Sequence, residues 1–254
     1  MKPTMRLLAA AMFATMTCAA ADAFAQEDKV TITLGLRAWL NEWETWFAPN
    51  NPGVNVISDT SKSKLAVIPS VTVKYKDYFA SAGYFTKTSY NFPSYTESVG
   101  GAIVQTSPSA ERQEFDLNFG WYFVPRVALT VGYKRVRQDI TTSTTGVGFN
   151  GVPFTTKWTY NAPTIGIAAS APIADRVALY GNGAIGPVTV TVNGSKPGTS
   201  ATYSASEFGV AWQAASNFTA TLGFKYQIIE QKPSSGLAQR DISSGWVLGG
   251  LYTF

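Results

Sequence analysis

The last nine residues constrain this chain more than any other stretch. Trp246-Val247-Leu248-Gly249-Gly250-Leu251-Tyr252-Thr253-Phe254 sets large apolar side chains at alternate positions and stops on Phe254. A β-strand turns successive side chains to opposite faces, so Trp246, Leu248, Tyr252 and Phe254 share one face. That face is oily along its whole length, and whatever fold the chain adopts must give it an apolar neighbour.

Alternation and turn residues divide the chain into ten such segments. The first, Lys29 to Trp43, places Val30, Ile32, Leu34, Leu36, Ala38 and Leu40 on one face. The second, about Lys64 to Lys76, does the same with Val71, Val73 and Tyr75, and the third covers Tyr78 to Thr88. In the fourth, Arg112 to Val124, Phe115, Leu117, Phe119, Trp121 and Phe123 alternate with Glu114, Asp116, Asn118, Gly120 and Tyr122. The fifth is Val127 to Arg137 and the sixth Phe154 to Ser170. The apolar face of the sixth changes parity near Asn161-Ala162-Pro163, which predicts a bulge there. Arg176 to Val190, Thr202 to Ala214, Phe218 to Ile229 and Asp241 to Phe254 complete the set.

The connections alternate in length. Lys76-Asp77-Tyr78, Pro125-Arg126, residues 171–175 and Ala215-Ser216-Asn217 are short; residues 44–63, 89–111, 138–153, 191–201 and 230–240 are long and rich in Thr, Ser, Asn, Gly and Pro. At the start, Lys2 and Arg6 precede an uncharged apolar run from Leu7 to Met16, followed by the small-x-small site Ala23-Phe24-Ala25. This pattern predicts a cleaved secretory signal peptide over residues 1–25 and one domain over 26–254. Cys18, the single cysteine, falls in the leader, so the domain has no thiol chemistry.

The terminal aromatic strand, the leader and the alternating short and long connections together resemble bacterial outer-membrane β-barrel proteins. The resemblance implies an all-β, antiparallel, up-and-down transmembrane β-barrel in the bacterial cell outer membrane. Ten strands are expected, or eight if the third or seventh segment is misread. The resemblance also implies outer-membrane lipid and lipopolysaccharide as surroundings, and the C-terminal strand with its final Phe as the segment addressed to the barrel-assembly machinery. Short turns would face the periplasm and long loops the outside. A soluble all-β domain shares the periodicity; the leader, the loop asymmetry and Phe254 favour the barrel.

Missing residues limit the chemistry. The chain has no histidine, so the His-dependent sites of outer-membrane proteases, phospholipases, acyl transferases and lipid A deacylases cannot be carried over. Zinc and copper sites built on His or Cys are excluded for the same reason. Glu114 and Asp116 share a polar face, and beside Lys134 they form a charge network in preference to an acid–base pair. Gly181-Asn182-Gly183-Ala184-Ile185-Gly186 lies inside a strand and opens no helix, so it is not a nucleotide loop. Net charge is +4 without a compact basic patch, which gives no nucleic-acid partner. The expectation is a non-catalytic protein with no cofactor and no metal.

Function is then a question about the lumen and the rim. Ten strands give a backbone diameter of roughly 20 Å, and side chains leave about 10 Å or less. Folding back at residues 125 and 216 sets Asp116 opposite Lys134 and Glu207 opposite Lys225, polar face to polar face. The predicted inward charges are Arg37, Lys74, Glu114, Asp116, Lys134, Glu207 and Lys225. As a constriction, such charges orient small solutes or ions in a narrow pore, with room left by Ala178, Ala184, Gly186, Gly209, Ala211, Gly245 and Gly249. The pore is the leading expectation. The alternative is that the charges pair and plug the bore, leaving a closed structural or surface-binding, adhesin-like barrel that works through its outer loops. Lys62, Lys64, Arg135, Arg137 and Lys157 lie near the outer rim, where lipopolysaccharide phosphates are natural counterions.

Overall fold

The computed structural model describes residues 29–48, 57–99, 102–146, 149–232 and 238–254. The leader, with Cys18, lies outside the described residues. Ten long strands form one antiparallel sheet: β1 (Val30–Ala48), β2 (Lys64–Tyr75), β3 (Tyr78–Asn91), β4 (Ala102–Val124), β5 (Val127–Gly146), β6 (Phe154–Ala174), β7 (Val177–Val192), β8 (Ser200–Ala215), β9 (Phe218–Lys232) and β10 (Ala238–Thr253). Each pairs with the next in sequence, and β10 pairs with β1 from Thr33↔Thr253 to Ala48↔Ala238, which closes the cylinder. The expected ten strands are therefore present. Short strands at Ile57–Thr60, Tyr95–Val99 and Phe149–Asn150 pair with β1, β4 and β5.

Register follows the side-chain chemistry. Asp116 stands opposite Lys134 and Glu207 opposite Lys225, as the fold-backs predict. A slip of one residue would turn these charges toward lipid. The tight turns between β2 and β3 and between β4 and β5 use Lys76 and Arg126 at φ 52° and 71°, left-handed positions that close two-residue loops.

Polarity reverses along the barrel axis. From the short turns upward, the outer wall is apolar: Leu36, Leu65, Phe119, Leu129, Val131, Phe208, Leu222, Trp246 and Leu248 are exposed. About ten residues tilted at ~40° span roughly 25 Å, the height of a lipid-facing band. Above it the outer wall carries Glu42, Gln113, Arg135, Asn161, Ser206 and Ser244, while Trp43, Tyr90, Val136, Tyr160, Tyr203 and Ile229 are buried inside. The lower half is thus apolar outside and the upper half apolar inside, as a soluble protein is.

This reversal corrects the predicted bulge. Residues 158–169 of β6 stay in one register with β5, and the pairing with β7 has the same offset on both sides of Pro163. Ile165 faces out because lipid is there, and Tyr160 faces in because water is outside. The apolar face changes, and the backbone does not. The irregularity in this strand pair lies near the turn instead, at Val177/Ala178.

Among the described residues, the connections 89–111 and 138–153 hold more strand than their composition implies. β4 begins at Ala102 and β5 ends at Gly146, and Ser107–Ser109 pair with Thr141–Ser143. These residues lack apolar alternation, yet β-branched threonine suits a strand and the ladder satisfies the backbone.

Candidate functional site

The charges meet where the polarity reverses, in a belt across the lumen. Glu114 on β4 is its centre. Arg112 Nε donates to Glu114 Oε1 at 2.7 Å, Lys134 Nζ to Oε2 at 2.5 Å, and Gln227 Nε2, from the opposite wall, to Oε1 at 2.8 Å. Lys134 also reaches Asp116 Oδ2 at 2.8 Å, and Arg112 Nη1 donates to Ser243 Oγ of β10 at 2.6 Å. A second group joins Arg37 of β1 to Glu207 of β8, and Glu207 accepts from the Tyr180 hydroxyl at 3.0 Å. Arg37, Arg112, Glu114, Lys134, Glu207 and Lys225 are all buried. Buried charges hold best when paired and hydrogen-bonded, and the network does this for Arg112, Glu114 and Lys134 and pairs Arg37 with Glu207.

Six of the seven predicted inward charges belong to the belt. Lys225 differs from the rest: its Nζ stands 4.5 Å from the Trp39 ring centroid, and it makes no ion pair among the described residues. Lys74 lies nearer the short turns, 5.1 Å over the Tyr122 ring, and does not join the belt. Arg112, Gln227 and Ser243 are members of the network that the sequence pattern did not single out. Arg112 has the parity of Glu114, two residues on, so extending the alternation one step identifies it. Ser243 and Gln227 carry no such mark, because an uncharged residue at an inward position is common to every strand.

Small inward residues turn out to be sockets. A Cβ on Gly209 or Gly223 would lie 2.8 or 2.4 Å from the Tyr180 hydroxyl, one on Gly249 would meet Arg37 at 3.0 Å, and one on Gly120 would enter the Phe79 ring. The space read as room for a solute at Gly209 and Gly249 is occupied by large side chains from neighbouring strands.

The rim candidates separate. Arg135, Arg137 and Lys157 lie on the outer wall of β5 and β6 just above the apolar band, with Arg137 close to Asp139 at 3.3 Å and Lys157 opposite Asp139 in register. Lys87 of β3 pairs with Glu111 at 2.5 Å in the same patch. Lys62 is exposed in the connection before β2, and Lys64 has the inward parity of Ala66 and Ile68.

Among solved structures, the fold is similar to the outer membrane protease OmpT of Escherichia coli, with a TM-score of 0.61 over 88% of this chain and 97% of that one, at 15% identity. The P. putida toluene transporter TodX (TM-score 0.39, 8% identity, 91% of each chain) and Ail, the attachment invasion locus protein of Yersinia pestis (TM-score 0.38, 9% identity, 89% and 99%), are more distantly similar. No family model and no curated protein matches the chain. The chain has the fold of bacterial outer-membrane β-barrel proteins: all-β, ten-stranded, antiparallel and closed.

Proposed function

Starting from that outer-membrane fold, we propose that this chain is a closed, non-catalytic barrel that works through the β-ribbons it raises above the membrane. One observation carries the reading: side chains from opposite walls bond to each other across the bore. Gln227 of β9 to Glu114 of β4, Arg112 of β4 to Ser243 of β10, and Arg37 of β1 to Glu207 of β8 bridge non-adjacent strands at belt level. This favours the closed form over the narrow pore. Reconstitution into planar bilayers tests it. The correctly folded protein is expected to stay silent under an applied potential; steady single-channel steps would overturn the closed reading and restore the pore.

The proposal includes two partners. Arg135, Arg137 and Lys157 present cations at the height where lipopolysaccharide phosphates sit, and charge-assisted bonds to phosphate suit such groups. Replacing all three with Gln should weaken co-purification with lipopolysaccharide while leaving the fold intact. The barrel-assembly machinery is the second partner, through the outward aromatics of β10 that end at Phe254. Deleting Phe254 should slow insertion in cells, read as accumulation of unfolded chain.

A further inference from the structure

Among the described residues Lys225 is the one belt cation without an ion pair. Arg37, Arg112, Lys134 and Lys225 are set against Glu114, Asp116 and Glu207, and every carboxylate of the three is already engaged by a cation other than Lys225. Asp241, another buried carboxylate of the lumen, bonds to Thr45 at 2.6 Å and makes no ion pair among the described residues. Lys225 is 1% exposed, so water does not solvate it freely. Its ammonium lines a small lumenal cavity of about 30 Å³ together with Arg37, Ser70, Ser81, Gly83, Asp116 and Asn118. Arg37 Nε is buried beside this group without an acceptor.

An unpaired buried charge costs several kcal/mol, and a mobile counterion removes that cost. We propose that the cavity is a binding site for one halide-sized monovalent anion, held by Lys225 and Arg37 with hydroxyl and amide donors from Ser70, Ser81 and Asn118. A cavity of about 10–15 Å³ already holds one water molecule, so this one has room for a chloride or bromide ion. Asp116 also lines the cavity, but its carboxylate is bonded to Lys134. The site concerns the belt alone and does not depend on what the outer ribbons bind.

The test uses the full barrel folded in detergent micelles, with chloride as the probe. Chloride-35 NMR line width should broaden with the wild-type protein, and bromide should compete that broadening away. Thermal unfolding should shift upward in chloride relative to gluconate at equal ionic strength, because a ligand that binds only the folded state stabilises it. Lys225→Met should lose both effects. Because Lys225→Met also alters the buried network, Gly83→Val supplies a second arm that is independent of it. A Cβ at Gly83 meets nothing closer than 3.9 Å, so the larger side chain fills the cavity and keeps every charge. Loss of chloride broadening in folded Gly83→Val, with Lys74→Gln unaffected, supports the site. Absence of broadening in wild type, or equal broadening in wild type and Gly83→Val, overturns it.

Discussion

The two halves of this barrel solve the same problem in opposite ways. In the lower half, lipid covers the outer wall and the lumen carries small hydroxyl residues, among them Thr33, Thr130, Thr164, Thr219 and Thr221, beside a small apolar cluster of Phe79, Ala128 and Ala168. In the upper half, water covers the outer wall and the lumen is filled by Trp43, Tyr90, Tyr160, Tyr203 and Ile229. The hydrophobic effect acts on both, but in one case the apolar partner is the membrane and in the other it is the protein itself. The difference teaches that stability and openness are separable along one strand. Below the belt lipid supplies most of the apolar contact and the interior cluster is small, whereas above it the interior side chains must supply that contact themselves.

Six substitutions sharpen or break this contrast. The largest effect is expected at the boundary. Glu114→Ala leaves Arg112 and Lys134 buried without their shared partner, and loss of one member of such a network costs about 3–5 kcal/mol. Urea unfolding of the detergent-folded protein, followed by tryptophan fluorescence, measures it. Trp43→Ala should cost a comparable ~3–5 kcal/mol, since its ring packs edge-on against Tyr90 and Phe92 at 5.5 and 5.4 Å. Thr130→Ala, in the lower lumen, should cost about 1 kcal/mol or less. Equal costs for the two would erase the distinction between halves.

On the outer wall the order inverts. Val131→Arg, in the apolar band, should destabilise by about 2–4 kcal/mol, while Thr202→Arg, above it, should cost roughly 0–1 kcal/mol. The fraction that keeps its folded mobility on a gel at rising temperature compares them, and similar losses would mean the membrane boundary is misplaced. Smallest of all is Lys87→Ala. Its pair with Glu111 is about half exposed on both sides, and such pairs contribute ~0–1 kcal/mol. A loss larger than that in equilibrium unfolding would show that the patch on β3–β5 bears load.

Much of this fold is legible in sequence because alternation has a period of two and lipid enforces it. Phe115 to Phe123 on β4 and Phe218 to Phe224 on β9 mark the band with no help from structure, and pairing Asp116 with Lys134 required only the turn. What misled was the assumption that one face stays apolar for the whole strand. Around Pro163 the sequence signal for a bulge and for a change of solvent is the same, and only the ladder distinguishes them. The belt was legible wherever charge marked an inward position. Its cross-barrel bonds were not, because which wall faces which depends on closure and stagger, and no local pattern encodes that Gln227 meets Glu114. The sockets at Gly209 and Gly249 looked like vacancies for a related reason: a glycine says what is missing from its own strand and nothing of the tyrosine or arginine that a neighbour lays over it.

The seam between β1 and β10 has a consequence for how the molecule is made. These two strands are separated by nearly the whole sequence, yet they share a ladder that runs from Thr33↔Thr253 to Ala48↔Ala238, and the Phe254 amide donates to the Ile32 carbonyl. A chain emerging from synthesis has both of these edges bare, each able to zip onto a stranger. Until the final residues arrive to fasten the first ones, the half-made sheet needs an escort.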